Sequence, residues 1–115
     1  MNKNIVLAAV FVMCSAFACS SGFPPLPSAA DATRVQGRFA GSNVESLREG
    51  RSLYVARCGT CHALRDPASL SADAWPEQVH DMRIKGARMS DEEEQRITAY
   101  LMAISSRSSA EPPKG

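Results

Sequence analysis

The chain is poor in the residues from which several kinds of site are built. It has only two histidines, His62 and His80, and four cysteines, Cys14, Cys19, Cys58 and Cys61. The first two cysteines lie in or beside an N-terminal export signal, which leaves a single pair in the body of the chain. No further pair is available for a disulfide, and no second C-x-x-C exists to complete a four-ligand structural zinc site. A Cys2His2 set is disfavoured by spacing, since His62 directly abuts Cys61 and could scarcely share one tetrahedral ion with both thiolates. The βαβ frame of a thioredoxin-like redox pair is missing, and so is any internal repeat. Aromatic residues make up only 6% of the chain, and 13 Lys and Arg face 12 Asp and Glu. There is therefore no basic stripe interleaved with aromatics, the footprint of nucleic-acid binding. The apolar stretch at residues 5–13 is too short to span a bilayer.

What the chain does have is Cys58-Gly59-Thr60-Cys61-His62, the C-x-x-C-H attachment motif of a c-type haem. Two thiols three positions apart form thioethers with the vinyl groups on one edge of the porphyrin, and the adjacent imidazole reaches the iron from one face. The motif occurs once, which predicts one covalent haem c and its iron, held by Cys58, Cys61 and His62.

Residues 1–18 read as a signal peptide: Lys3 supplies the positive start, an apolar stretch follows, and small residues stand at Ala16 and Ala18. The sequel Cys19-Ser20-Ser21-Gly22 resembles a bacterial lipoprotein signal, whose cleavage leaves an acylated N-terminal cysteine. Ala16-Phe17-Ala18 also fits an ordinary secretory cut. Both readings predict an exported, periplasmic protein, anchored to a membrane through Cys19 in the first and soluble in the second. Pro24, Pro25, Pro27, Gly37 and Gly41 interrupt any period over residues 19–43, which reads as a flexible tether reaching roughly 25–30 Å. The other reading of that segment is an extension wrapped over the domain, with Phe23, Leu26 or Phe39 docked on it. Residues 106–115 read as a disordered tail. The haem domain is then 44–105, so short that it buries a marginal core without the added apolar volume of a haem.

Three helices are expected. Leu47, Gly50, Tyr54 and Cys58 follow a 3.6-residue period over about 44–57. A second helix, about 74–85, takes Asp73 as its cap and Pro76 in its first turn, and Gly86 stops it. Trp75, Val79 and Met82 share its inward face. The third opens on Ser90-Asp91-Glu92-Glu93, a capping box with acid piled at the positive helix end, and buries Ile97, Tyr100, Leu101 and Ile104. Met102 falls off that stripe and is expected to be exposed.

This pattern resembles a small monohaem class I cytochrome c across residues 44–104. The resemblance implies a compact all-α domain around one haem, with the first and last helices crossing where Gly50 meets Tyr100. It also implies that Pro67, shortly after the motif, supplies the carbonyl that orients His62; the other reading of Pro67 is simply a turn in Arg65-Asp66-Pro67. The 20-residue separation of His62 from Met82 is shorter than in many relatives, and the usual Met-Pro pair is absent. Helical facing favours Met82 as sixth ligand; Met89, in the loop before Ser90, is the alternative, and His80 points nearly the opposite way from Met82.

With His/Met ligation the domain is a one-electron carrier between redox protein partners rather than an enzyme, and it has no small-molecule substrate. With an open distal position it would be a haem enzyme or gas sensor, with Trp75 and Arg83 near the iron. Residues 44–104 carry eight Lys and Arg against ten Asp and Glu, a net charge of −2. Arg48, Arg51, Arg57 and Arg65 gather around the motif, and they either orient docking on an acidic redox partner or belong to a mixed soluble surface.

Overall fold

The computed structural model describes residues 23–110, so the expected signal peptide at 1–18, Cys14, Cys19, the first residues of the expected tether and residues 111–115 lie outside it. Among the described residues the chain is all-α. The order is α1 (Ala29–Val35), α2 (Val44–Cys58), two 3-10 turns (Pro67–Ser69 and Ala72–Ala74), α3 (Trp75–Ile84), α4 (Asp91–Ser105) and the single turn α5 (Arg107–Ala110). Helix α4 is the axis, and α1, α2, α3 and both 3-10 turns pack on it.

Local signals set the helix ends. The capping box expected at Ser90 is present: Ser90 Oγ accepts from the Glu93 N–H at 3.1 Å, and Glu93 Oε2 accepts from the Ser90 N–H at 2.9 Å. Asn43 caps α2 through Ser46 in the same way. Asp73, however, does not cap α3. It sits inside the 3-10 turn Ala72–Ala74, which runs straight into the helix, so the first N–H groups of α3 receive no side-chain cap. Pro76 stands in the first turn of α3 as expected. At its end Gly86 adopts φ 120°, and the N–H groups of Ala87 and Gly86 donate to the carbonyls of Met82 and Arg83 at 3.0 and 3.1 Å, a Schellman closure.

The α2–α4 crossing has the expected small-against-large contact. A Cβ on Gly50 would lie 2.2 Å from the Arg96 carbonyl oxygen and 2.9 Å from Tyr100 Cβ, so only glycine lets the two backbones approach this closely. The core around the crossing holds Leu47, Tyr54, Trp75, Val79, Ile97, Tyr100, Leu101 and Ile104, all buried.

Residues 23–43 are a docked strap rather than a tether. Three consecutive backbone carbonyls are pinned by side chains from distant helices. Pro24 O accepts from Arg51 Nε at 2.6 Å, Pro25 O from Tyr100 Oη at 2.6 Å, and Leu26 O from Arg107 Nη2 at 2.7 Å. Helix α1 follows, opened by a Ser28/Asp31 capping box, and buries Ala32 and Val35 in the core, with Phe39 packed against it. This cover also corrects the reading of Met102. Every residue of α4 from Ile97 to Ser105 is buried, Met102 included, because the helix is surrounded rather than half-exposed. The tail is likewise structured as far as Ala110: Arg107, in α5, reaches Asp31 Oδ1 and Oδ2 at 2.9 and 2.6 Å.

Asp31 is the closure of this clasp. Its side chain is fully buried between Ser28, Arg34 and Arg107. Burial pushes the carboxyl up, but the Arg107 guanidinium and the Ser28 donors outweigh it and hold the group at about 2, below its ordinary 3.8. A depressed carboxyl stabilises the fold above its unfolded value, and that contribution disappears as pH falls from about 4 through 2; it amounts to about 2 kcal/mol. Denaturant unfolding followed from pH 5 to pH 2 is expected to show this loss, and Asp31→Asn is expected to flatten that part of the profile.

Candidate functional site

A cleft of about 190 Å³ opens between the C-terminal end of α2, the loop after the haem motif and α3. Its lining includes Tyr54, Cys58, His62, Arg65, Trp75 and Met82. Two sequence elements 20 residues apart thus bring the motif histidine and one methionine into the same cavity. Met89 is half-buried against the core and is not part of the lining. His80 is exposed, with Nδ1 2.9 Å from Glu94 Oε1, and lies in grooves elsewhere on α3. Arg83, considered for an open distal site, is engaged with Asp91 and Glu94.

The cleft walls are aromatic rings whose polar ends are committed elsewhere. Tyr54 Oη donates to the Arg65 carbonyl at 2.5 Å and Trp75 Nε1 to the Pro67 carbonyl at 2.9 Å. The two rings meet edge to face at 6.5 Å. Both bonds reach into the loop that follows the motif, so the pair forms the wall and also positions that loop. Burial, followed by the nearness of Cys58, pushes the Tyr54 hydroxyl up to about 12, which keeps it a neutral donor.

Pro67 therefore has a different part from the one expected. Its carbonyl holds Trp75, whereas His62 Nδ1 lies 2.8 Å from the carbonyl of Ala63. A carbonyl only accepts, so Nδ1 donates in this bond, which leaves Nε2 as the nitrogen available to ligate.

Cys58 is buried, and Cys61 is exposed beside a neighbouring groove lined by Thr60, Gly86, Ala87 and Arg88. Burial, with the second thiol adding to it, raises the Cys58 thiol to about 11. A thiolate would be costly there, whereas a thioether is uncharged and suits a buried site. Among the described residues no three His, Cys, Asp or Glu side chains converge on a point where they could hold a bare metal ion. The acids at the start of α4 are spent on capping and on ion pairs: Glu93 with Arg57 at 2.9 Å, and Glu94 with Arg83 at 2.6 Å.

A family model described as dihaem cytochrome c matches residues 54–114. The chain belongs to the dihaem cytochrome c family. No curated protein and no solved structure matches it. Membership implies covalently attached haem c with its iron and haem-based electron transfer. The family takes its description from two haems, and this chain carries one C-x-x-C-H. Cytochrome c domains are typically exported, and among the described residues no helix is long and apolar enough to cross a membrane. The residues present fit the group: the two cysteines and the histidine of the motif stand at or beside a ring-walled cleft, with a soft thioether in its lining.

Tyr54, Arg65, Gln78, Asp81 and Lys85 are cleft residues that the motif itself does not announce. Tyr54 was detectable, since it lies four residues before Cys58 and so on the same helical face. Arg65 gave no such signal, because its place depends on the path of an irregular loop.

Of the four arginines near the motif, Arg51 holds the strap, Arg57 pairs with Glu93, Arg48 lies 3.7 Å from Glu45, and Arg65 lines the cleft.

Proposed function

We propose that this cytochrome is a one-electron carrier with a single haem c, fastened by Cys58 and Cys61 and ligated by His62 and Met82. The observation that carries the reading is the shared cleft: His62 and Met82 line it together, and neither Met89 nor His80 does. When bound, the haem supplies a one-electron Fe(II)/Fe(III) couple. His62, its Nδ1 proton given to Ala63, presents Nε2. Met82 offers a neutral, soft sulfur, the donor type that favours reduced iron and a high potential. Tyr54 and Trp75 present ring surface and exclude water, because their donors are already paired. Arg65 and Lys85 bring positive charge to the cleft and Asp81 offsets part of it. The partners in this reading are a redox donor and acceptor, and no small-molecule substrate is involved. The export signal and the Cys19-Ser20 junction support a periplasmic lipoprotein acylated at Cys19, with a soluble secreted form as the other reading.

The test is haem content and spectrum of the exported, matured protein. One haem-derived mass increment and one iron per chain are expected, with a low-spin ferric spectrum carrying the weak far-red band of methionine–iron ligation. Two irons per chain would end the single-haem reading. A high-spin ferric spectrum would replace the carrier with an open-site enzyme or sensor.

A further inference from the structure

We propose that the strap at residues 23–26 is a membrane-contact face that holds the domain against the lipid surface in one orientation. The inference rests on the reading of Cys19 as an acylated anchor. A tether of residues 19–43 would let the domain roam, but the pinned carbonyls of Pro24, Pro25 and Leu26 end the leash at Phe23. Three residues lie between Cys19 and Phe23, and an extended chain over those four steps reaches at most about 14 Å. The domain therefore cannot leave the neighbourhood of the headgroups, and the surface around Phe23 must face them.

That surface has the composition for it. Phe23 and Leu26 are 49% and 62% exposed, two of the four exposed large apolar side chains among the described residues, and they stand where the chain enters the fold. Amphipathic surfaces of this kind settle at the boundary between headgroups and acyl chains. The side chains that pin the strap and close its clasp carry Arg34, Arg51 and Arg107 against the single acid Asp31, a net charge of +2 by that count, whereas the first turn of α4 carries four acids. Anionic lipid attracts the first and repels the second. None of the residues lining the cleft belongs to the strap, so contact through Phe23 and Leu26 covers no residue of the cleft lining.

The test uses the full chain, exported and haem-loaded, in vesicles of phosphatidylethanolamine and phosphatidylglycerol. With Cys58 and Cys61 in thioethers and Cys19 acylated, an introduced cysteine is the one free thiol. A nitroxide is placed on Leu26→Cys or, for comparison, on Ile84→Cys at the exposed end of α3, and its relaxation by oxygen and by a water-soluble nickel complex is measured. The Leu26 position is expected to show an oxygen-to-nickel ratio several-fold above that of the Ile84 position. Equal, water-like ratios in a protein that still floats with the vesicles would overturn the docking while leaving the anchor intact. Mass spectrometry of the N-terminal peptide separates the other failure: a peptide without acyl chains, from a protein that does not float, would remove the anchor and the docking together.

Discussion

Met82→Ala is expected to abolish the far-red charge-transfer band of the ferric protein and to lower its reduction potential by on the order of 0.1 V or more, within the ~0.8 V that axial ligands span. Met82 lies on the inward face of α3 with Trp75 and Val79 and lines the cleft together with His62. Its backbone is fixed at the C-terminal end of the helix, where its carbonyl takes part in the closure at Gly86. Alanine preserves that helix end and removes the side chain beyond Cβ, sulfur included, so the variant is expected to keep the helix and lose the ligand at the cost of some packing. The rival is decided by the reciprocal change. Met89→Ala is expected to leave the band in place, since Met89 packs against the core outside the cleft. A wild-type band in Met82→Ala, with loss of the band in Met89→Ala, would transfer the ligand to the loop.

How far the sequence reached can be judged element by element. Helices α2, α3 and α4 were legible because their signals are local: a 3.6-residue apolar period, a capping box at Ser90, a stop at Gly86. The placing of Met82 followed from the same periodicity. Between a tether and a wrapped extension the sequence does not decide for the strap, because what holds it is not local. Its prolines lack N–H groups and leave carbonyls unpaired within the segment, and the donors that satisfy them come from Arg51, Tyr100 and Arg107, 27, 75 and 81 residues away. A seven-residue helix such as α1 is unstable alone and exists through packing. One local hint was present in Ser28-Ala29-Ala30-Asp31, which fits the capping-box pattern. Met102 was misjudged for the same reason, since a stripe argument assumes that one face of α4 meets water and the strap helps to remove that face. Pro67 shows the limit of carrying a role over from a resemblance. The loop carbonyl is there, but Trp75 takes it, and His62 turns to Ala63 instead.

Gly50→Ala is expected to destabilise the domain by about 2 kcal/mol or more, which for a domain of this size lowers the melting temperature by on the order of 10 °C. Two effects oppose each other. Alanine is the better helix former by about 1 kcal/mol, and in an exposed helix the change would stabilise. Here the new methyl would sit 2.2 Å from the Arg96 carbonyl oxygen and 2.9 Å from that residue's carbonyl carbon. Those atoms are main chain in the middle of α4 and cannot rotate aside. The helices must separate, and overpacking of this kind costs about 1–3 kcal/mol or more. The consequences reach the site, because Tyr100, one turn further along α4, stacks at 6.3 Å on Tyr54 of the cleft wall and donates to Pro25 of the strap. Widening the crossing therefore loosens the wall and the clasp in one movement. Gly37→Ala is the control: nothing lies within 4 Å of its added methyl, and its stability is expected to stay within about 0.5 kcal/mol of the parent. Thermal unfolding of both variants, followed by circular dichroism and by the haem absorption, would separate the cost of closeness at the crossing from the general effect of replacing a glycine. An equal response at the two positions would mean that backbone freedom, and not the approach of α2 to α4, fixes glycine at position 50.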